Sequence, residues 1–190
     1  MSKVFDISII VGRFMPFHNG HEHLIRKALE LSENTLVFLG SNGFIDYRHF
    51  IPAEDNSRII KDSIGNLYPY QGNLHIESIY DSSEDRKWVM KLSMSINNYI
   101  AKNKLINPSI CFLGSKKDIL WYENLLPDWT LIIVPSFNNN MNATSIRRSY
   151  FCLGEVSEDI PEASRDYLTA LKQTLKFKEL SGQFKRYYGL

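Results

Sequence analysis

The chain has 190 residues, of which 44% are hydrophobic and 23% charged. This composition excludes disordered, collagen-like and membrane-spanning classes, and the length allows one compact domain with a sizeable core. The 22 basic and 21 acidic side chains give a net charge of +1. Such a balance excludes a chain built throughout to neutralise nucleic acid or to adhere to an anionic membrane, so any anionic ligand must be met by local charge.

The two cysteines, Cys111 and Cys152, form no C-x-x-C pair. A secreted disulfide scaffold would use several more, so we predict reduced thiols in a cytoplasmic protein. The apolar run at 7–11 is too short and too mixed for a signal peptide or a membrane span. We therefore expect no export and no membrane partner.

Short runs of apolar, β-branched and aromatic residues recur along the chain, at 5–11, 35–39, 74–80, 109–113 and 130–134. Apolar residues at helical spacing lie between the first four runs, at 24–31, 59–67 and 88–100. This alternation predicts a Rossmann-like, doubly wound α/β fold with a parallel sheet of five strands. Ligands of such sheets bind beyond the carboxyl ends of the strands.

A polar loop and a short helix near Ala143 follow the last predicted strand. Pro161 then opens a helical pattern whose leucines fall on one face as far as Leu180. We therefore expect an α/β domain over 1–155 and a helical C-terminal extension over 156–190, packed on the same domain.

The segment G-R-F-M-P-F-H-N-G-H, residues 12–21, lies where the first strand ends and the first helix begins. Gly12 and Gly20 let the backbone approach a ligand without a Cβ in the way, and a helix N-terminus presents unpaired N–H groups to an anion. His18 and His21 are three residues apart, so both imidazoles can face one phosphate. The segment therefore predicts a phosphate-binding site.

The alternative is a histidine-rich loop or a metal site, since His23 is also near. A zinc site needs a third ligand at suitable spacing, and the sequence has neither an H-E-x-x-H helix nor a cysteine pair. We therefore assign no metal ligand to the protein. P-loop and G-x-G-x-x-G motifs are also missing, which argues against P-loop enzymes and dinucleotide-dependent dehydrogenases.

The pattern G-R-F-x-P-F-H-x-G-H resembles the signature of the nucleotidylyltransferase superfamily, with its H-x-G-H motif. More narrowly, it resembles nicotinamide mononucleotide (NMN) adenylyltransferases of the archaeal type and the adenylyltransferase half of bifunctional proteins that also carry a Nudix hydrolase. N-A-T-S-I-R, at 142–147, resembles the second motif of that family. Further similarities lie at 39–41, at Asp81 with Trp88, and at 113–118. No Nudix box follows, so a stand-alone adenylyltransferase is expected.

The resemblance implies that the adenylyl group of ATP is transferred to NMN, giving NAD and pyrophosphate in NAD biosynthesis or salvage. It implies that His18 and His21 hold the α-phosphate, while Arg13 and Arg147 hold the β- and γ-phosphates. Mg²⁺ would be bound with the ATP phosphates, because this ion seldom needs a protein cage. The ATP-site residues implied in this way are Gly12, Arg13, Phe14, His18, Gly20, His21, Gly114, Asn142, Thr144, Ser145 and Arg147.

The resemblance also implies an acceptor site, in which Trp88 stacks on the nicotinamide ring and Asp81 binds its carboxamide. Asp85 stands where family members commonly have asparagine, so an acceptor replaces a donor. Arg48 and, with less support, Arg58 are candidates for the NMN phosphate, with a solvated charge as the alternative. The NMN-site residues implied are Gly40, Ser41, Arg48, Asp81, Asp85 and Trp88.

Two other functions stay open at this point. One is an adenylyltransferase or cytidylyltransferase with a different phosphorylated acceptor, against which Trp88 argues because a flat cationic ring favours an aromatic face. The other is a nucleotide-sensing module without turnover, against which the intact His18, His21 and Arg147 argue. We interpret Trp121 and Tyr122 as core or interface aromatics. We expect small-molecule substrates and no nucleic-acid partner, and the sequence leaves a homo-oligomer and the choice between NMN and its acid analogue open.

Overall fold

The computed structural model describes residues 3–41, 43–65, 73–126, 129–137 and 142–190. The chain folds into two compact units. The first contains Met1–Gly12, Leu24–Asn42 and Tyr70–Pro135. The second contains Arg13–His23, Gly43–Pro69 and Ser136–Leu190.

A parallel sheet is the framework of the first unit. Its strands are β1 (Phe5–Gly12), β2 (Ser32–Ser41), β3 (Leu74–Tyr80), β4 (Ile110–Gly114) and β5 (Thr130–Ile133). They lie in the order β3-β2-β1-β4-β5, and every adjacent pair is parallel. This confirms the predicted five-stranded α/β fold. The order steps outward from β1 in both directions, which is the topology of a doubly wound sheet.

Helices separate the strands and continue beyond the last of them. They are α1 (Asn19–Leu31), α2 (Ala53–Gly65), α3 (Asp85–Lys102), α4 (Lys116–Tyr122), α5 (Ala143–Leu153), α6 (Glu162–Lys172) and α7 (Leu175–Tyr188). None of the described helices is long and apolar enough to cross a membrane.

The core of the first unit forms where α3 and α4 pack on the sheet. Alternate residues of the strands, such as Ile7 and Ile9, are fully buried and contact the apolar face of α3, which includes Leu92 and Ile96. Burial of each such side chain contributes roughly 1.5–3 kcal/mol. The short helix α4 begins with a capping box, in which Ser115 Oγ and the Asp118 carboxylate exchange hydrogen bonds with each other's backbone N–H.

Aromatic packing dominates the second unit. Phe151 of α5 lies 5.2 Å from Phe50, 6.0 Å from Phe177 and 5.5 Å from Phe184, measured between ring centroids. Tyr150 donates a hydrogen bond to the Leu168 carbonyl at 2.8 Å. These contacts join α5, α6, α7 and the loop before α2 into one body.

The expectation of one helix from Pro161 through Leu180 is wrong in one respect, because the tail forms two helices that break at 173–174. Thr174 ends α6 by donating to the Leu171 carbonyl at 2.7 Å and caps α7 by accepting from the Phe177 N–H at 3.3 Å. A threonine hydroxyl that bonds the local backbone competes with helix continuation. The predicted boundary between 1–155 and 156–190 stays a prediction.

Candidate active site

Several predicted site residues lie at the carboxyl edge of the sheet in the first unit. Gly12 and Gly114 end β1 and β4, Gly40 is the second-last residue of β2, and Asp81 follows β3 directly. A Cβ on Gly114 would lie 3.2 Å from the Asp118 Cβ, so the close start of α4 favours glycine there. The backbone of Ser41 ends β2, but its side chain lies outside the described part of the chain.

The loop after β1, in the second unit, is held by side chains that are distant in sequence. Asn56, which is fully buried, donates a hydrogen bond to the Arg13 carbonyl at 2.9 Å, and Ser164 donates to the Phe17 carbonyl at 2.9 Å. Phe14 has a φ of 55°, in the left-handed region that favours glycine. A buried residue with this conformation persists when its surroundings over-determine it, and such residues cluster at functional sites.

His18 and His21 form a stacked pair. Their ring centroids are 3.6 Å apart with an interplanar angle of 22°. The His21 N–H donates to His18 Nδ1 at 3.3 Å, which places the proton of a neutral His18 on Nε2. The His21 ring lies edge-on to Phe14 at 4.8 Å. The predicted pair is therefore assembled at the first turn of α1, where Gly20 also lies.

Burial and neighbouring charge make both imidazoles weak bases. His18 is 5% exposed, and burial together with the Arg147 charge lowers its pKa to about 4. Burial, then His18, then Arg147 lower the pKa of His21 well below its usual value, and a hydrogen bond with the Pro16 backbone opposes this only in part. His21 Nδ1 is buried and has no hydrogen-bond partner among the described residues. Both rings are neutral at pH 7 in the ligand-free protein.

Arg147, on α5, lies close enough for its charge to act on His18 and His21. Its Nη1 donates to the Met15 carbonyl at 2.6 Å and its Nη2 donates to Thr144 Oγ1 at 3.0 Å. Its Nε is buried without a hydrogen-bond partner in the described part of the chain. Burial lowers the pKa of Arg147, and the charges of Arg13 and Arg48 lower it further.

The N-terminus of α5 is capped by Asn142. Its Oδ1 accepts from the Ser145 N–H at 2.9 Å and from the Ser145 hydroxyl at 3.1 Å. Thr144 and Ser145 are exposed in the first turn of the helix. The second sequence motif therefore folds as a capped helix start that carries Arg147 one turn further along.

Arg48 lies in the loop before α2 and contacts aromatic rings. Its Nε donates to the Tyr47 hydroxyl at 2.9 Å, and its guanidinium carbon lies 4.7 Å from the ring centroid of Tyr187. Arg58 instead pairs with Asp55 at 2.7 Å and is exposed, which fits the alternative of a solvated helix charge.

We call the group in the second unit the histidine–arginine cluster; its members are Arg13, His18, His21, Arg48 and Arg147. Among the described residues, none of the three arginines forms an ion pair with a carboxylate within 4 Å. The charges of Arg13 and Arg48 act against that of Arg147, whereas Asp46 favours the charge of Arg48. Such an arrangement favours a ligand that carries several negative charges.

The predicted acceptor residues of the first unit lie around Tyr122. Burial raises the pKa of Tyr122, and the carboxylates of Asp118, Asp81 and Asp85 raise it further, so these groups are close to its hydroxyl. Asp81 and Asp85 are exposed, the latter as the first residue of α3. The structure thus brings the two predicted carboxylates together and adds Asp118 and Tyr122, which the sequence did not single out for this site.

The predicted ring-stacking residue, Trp88, is only 7% exposed and lies in the core of the first unit. Its ring centroid lies 5.7 Å from Tyr122 and 6.3 Å from Trp121. Tyr122 is buried, as expected for a core aromatic, whereas Trp121 is 44% exposed. Stacking of Trp88 on a ligand ring stays a prediction, and it requires a face of the indole to become accessible.

No group of three or more His, Cys, Asp or Glu side chains in the described ranges is placed to hold a metal ion. Phosphate oxygens and water are the ligands that Mg²⁺ most often keeps.

Comparison with known proteins bears on the resemblance predicted from the motifs. A family model described as Cytidylyltransferase-like matches residues 9–72. The chain is 27% identical over 184 residues to the nicotinamide/nicotinic acid mononucleotide adenylyltransferase of Acinetobacter baylyi, covering 95% of this chain and 94% of that protein. It is 24% identical over 182 residues to the nicotinamide-nucleotide adenylyltransferase of Saccharolobus solfataricus, covering 92% of this chain and 96% of that protein.

Among solved structures, the fold matches a bifunctional NMN adenylyltransferase/ADP ribose pyrophosphatase from Francisella tularensis, crystallised with AMP and a Mn ion. The TM-score is 0.85 at 24% identity, and the match covers 96% of this chain and 53% of the Francisella chain. This chain therefore spans about half the length of that protein. Together the comparisons confirm the predicted resemblance: over nearly its whole length, this chain is similar to the nicotinamide mononucleotide adenylyltransferases.

Proposed function

We propose that this protein transfers the adenylyl group of ATP to NMN, giving NAD and pyrophosphate. The observation that carries the proposal is the histidine–arginine cluster. Two neutral, stacked imidazoles and a half-buried guanidinium meet in the second unit, and buried nitrogens of His21 and Arg147 lack partners among the described residues. Buried polar atoms are normally satisfied, so the free Arg147 Nε–H favours a ligand with acceptor oxygens.

The charges of the cluster specify the kind of ligand. Burial lowers the pKa of Arg147, and the charges of Arg13 and Arg48 lower it further, so these like charges repel one another. A polyphosphate relieves this repulsion and satisfies the free donors at once, because guanidinium groups bind phosphate oxygens as planar forks. We therefore assign the β- and γ-phosphates of ATP to Arg13 and Arg147, and the α-phosphate to His18 and His21.

The reaction needs no covalent enzyme intermediate. A 5′-phosphate oxygen of NMN attacks the α-phosphorus of ATP, a new P–O–P bond forms, and the bond from the α-phosphorus to the bridging oxygen of the β-phosphate breaks. Pyrophosphate leaves with the electron pair of that bond. Catalysis then consists of holding the two phosphates in line and stabilising charge on the transferred and leaving groups. The Nε2–H of His18 is the donor available for the α-phosphate.

Mg²⁺ enters this proposal as a companion of ATP. The described residues supply no ready-made metal cage, which fits an ion bound mainly by phosphate oxygens and water. When bound, the ion neutralises charge on the polyphosphate. The residues of this chain act on the phosphates themselves.

For the acceptor we propose that Gly40, Ser41, Asp81, Asp85 and Trp88 bind the nicotinamide nucleoside of NMN. Arg48 binds its phosphate. A carboxylate at Asp81 accepts a hydrogen bond from a carboxamide and repels the carboxylate of nicotinic acid mononucleotide. We therefore expect the amide to be the better substrate, although the Acinetobacter relative is named for both.

The test is an assay of pyrophosphate release and NAD formation. ATP and, separately, CTP are supplied with NMN, nicotinic acid mononucleotide, phosphopantetheine or no acceptor. We expect release with ATP and NMN, and less with the acid. Binding of ATP without release under any condition would support the nucleotide-sensing alternative, and release only with CTP or phosphopantetheine would support a different transferase.

The Asp81→Asn variant refines this test. Removing the negative charge should narrow the gap in kcat/KM between the amide and the acid, because the repulsive element is lost. Asp166→Asn, at an exposed aspartate of α6, is the matched control and should leave the gap unchanged. An unchanged gap in Asp81→Asn would remove Asp81 from the acceptor site.

The same proposal locates the reaction in the cytoplasm. Both cysteines are free thiols, and Cys111 is buried beside Ser8, with Sγ and Oγ 3.1 Å apart. Burial raises the pKa of Cys111, so this thiol is inert and suits a reducing compartment.

A further inference from the structure

We propose that Tyr187, near the end of α7, is a positioning residue that holds Arg48 ready for the phosphate of the acceptor. The proposal rests on the proposed function, because Arg48 is assigned there to the NMN phosphate. The supporting observation is the contact, within the second unit, between Arg48 in the loop before α2 and Tyr187 in the last turn of α7.

The guanidinium of Arg48 lies beside two aromatic rings that also contact each other. Its central carbon is 4.7 Å from the ring centroid of Tyr187 and 5.3 Å from that of Tyr47. Both distances are within the range of cation–π attraction. The Arg48 Nε also donates to the Tyr47 hydroxyl at 2.9 Å. Two aromatic contacts and one hydrogen bond therefore hold the head group.

Helix α7 also contacts Tyr47, the second aromatic ring beside Arg48. The Tyr47 ring centroid lies 5.7 Å from Phe184, 5.1 Å from Tyr187 and 6.4 Å from Tyr188. Tyr47 is buried by these contacts. The last turns of α7 therefore fix the side chain that fixes Arg48.

The backbone of the loop is fixed independently. Asp46 Oδ1 accepts from the Arg48 N–H at 2.7 Å and from the His49 N–H at 2.7 Å. With its backbone anchored by Asp46, Arg48 has only its side-chain rotamers left to lose on binding a ligand. Tyr187 removes much of that freedom in advance, which is how preorganisation improves affinity.

Arg48 is still available to an anion. In the part of the chain that the structure describes, it forms no ion pair with a carboxylate, and Nε is the nitrogen that Tyr47 uses. Its charge also acts on Arg147, so the held guanidinium belongs to the same electropositive cluster. The N–H groups of its two terminal nitrogens are suited to bind a phosphate.

The experiment compares Tyr187→Leu and Tyr187→Phe with wild type, using kcat and KM for NMN and for ATP, calorimetric affinity for NMN alone, and the melting temperature. We expect Tyr187→Leu to raise KM for NMN about fivefold, the scale of one partly exposed cation–π contact. The KM for ATP and the melting temperature should change little. Tyr187→Phe keeps the ring but loses the hydroxyl that hydrogen-bonds with Tyr47, so it should keep most of the wild-type affinity for NMN. Lys185→Leu, exposed on the same helix, is the control and should match wild type.

A double-mutant cycle separates positioning from a merely structural role. If Tyr187 acts through Arg48, adding Tyr187→Leu to Arg48→Ala should raise KM for NMN no further. If the two substitutions instead raise KM for NMN independently, so that their fold-changes multiply in the double variant, the proposal is wrong. It is also wrong if Tyr187→Leu raises KM for NMN and for ATP equally and lowers the melting temperature. If the wild type forms NAD and Tyr187→Leu has an unchanged KM for NMN, only the role of Tyr187 is refuted. A wild type that forms no NAD would refute the proposed function and this inference with it.

Discussion

His18 is buried and His21 is half-buried, and their rings contact each other. The charge of Arg147 acts on both rings, so their proton affinities depend on what else the cluster binds. In the ligand-free protein, burial and Arg147 lower the pKa of His18 to about 4. A polyphosphate beside these rings would act in the opposite direction, because a negative charge favours the protonated imidazole. A bound polyphosphate would therefore raise the pKa of both imidazoles.

The lowered pKa of His18 predicts a pH dependence of stability. Between pH 6.5 and about 4 the unfolded chain binds a proton at this position that the folded chain does not. The free energy of unfolding should therefore fall as the pH is lowered through this window. Melting temperatures of wild type and His18→Gln at pH 4.5 and pH 7 check this. The variant should lose less stability on acidification, and an equal loss in both proteins would contradict the assignment.

Arg147 uses both ends of its guanidinium at once, and this predicts that lysine cannot replace it. Nη1 bonds the Met15 carbonyl and Nη2 bonds Thr144. A lysine keeps the charge and loses the planar fork, so Arg147→Lys should raise KM for ATP or lower kcat by about tenfold or more. Steady-state kinetics measure this. Arg148→Lys, at the next and exposed position of α5, is the control, and equal kinetics in both variants would remove Arg147 from the site.

At the scale of elements, two helix starts carry the polyphosphate-binding residues of the second unit. His21 lies in the first turn of α1, and Arg147 lies one turn into α5 behind its Asn142 cap. Both helix ends present positive partial charge. The positions of these helix ends therefore decide where the side chains meet, and the caps become part of the functional geometry.

Removing the cap of α5 should affect stability and function together. Asn142→Ala deletes the acceptor for the Ser145 N–H and should cost about 1 kcal/mol of unfolding free energy. Because α5 carries Arg147, KM for ATP should also rise. Chemical denaturation and ATP kinetics measure the two effects.

Two further variants serve as controls for Asn142→Ala. Asn142→Ser keeps a capping side chain and should recover most of both effects. Ser115→Ala removes the corresponding cap of α4, which carries none of the histidine–arginine cluster, so it should lower stability without changing KM for ATP. A similar KM change in both alanine variants would mean that cap loss acts through general destabilisation.

At the scale of the whole molecule, the net charge of +1 conceals a strongly uneven distribution. Arg13, Arg48 and Arg147 interact in the second unit, whereas Asp81, Asp85 and Asp118 surround Tyr122 in the first. The overall balance correctly excluded a uniformly basic chain. The net charge could not show that like charges cluster in the folded protein, because it contains no spatial information.

Local sequence determined most of the secondary structure. The five predicted strands are all present, and their parallel order follows from alternation with helices. The errors lie at ends, as at β2, which begins at Ser32 rather than at the predicted residue 35, and at the break before Thr174. Hydrophobic periodicity fixes the type of an element, whereas single hydrogen bonds to side chains decide where it ends.

Some residues of the candidate site could likewise be recognised from local sequence, whereas the residues that support them could not. The motif at 12–21 and the helix start after Asn142 could be recognised from neighbouring residues, because each side chain there lies within one helical turn of the next. The supports of the site could not be recognised. Asn56 holds the Arg13 carbonyl, Ser164 holds the Phe17 carbonyl and Tyr187 covers Arg48, each across a long separation in sequence.

Burial was likewise decided by tertiary structure. The family resemblance implies that Trp88 stacks on the ligand ring, yet packing places it in the core beside Tyr122, while Trp121 remains accessible. By itself, the sequence determined the elements, their order and the chemistry of the phosphate-binding motif, because these depend on contacts within a few residues. Only the tertiary structure decided which distant side chains support, cover or bury those groups, because such contacts follow from how whole elements pack.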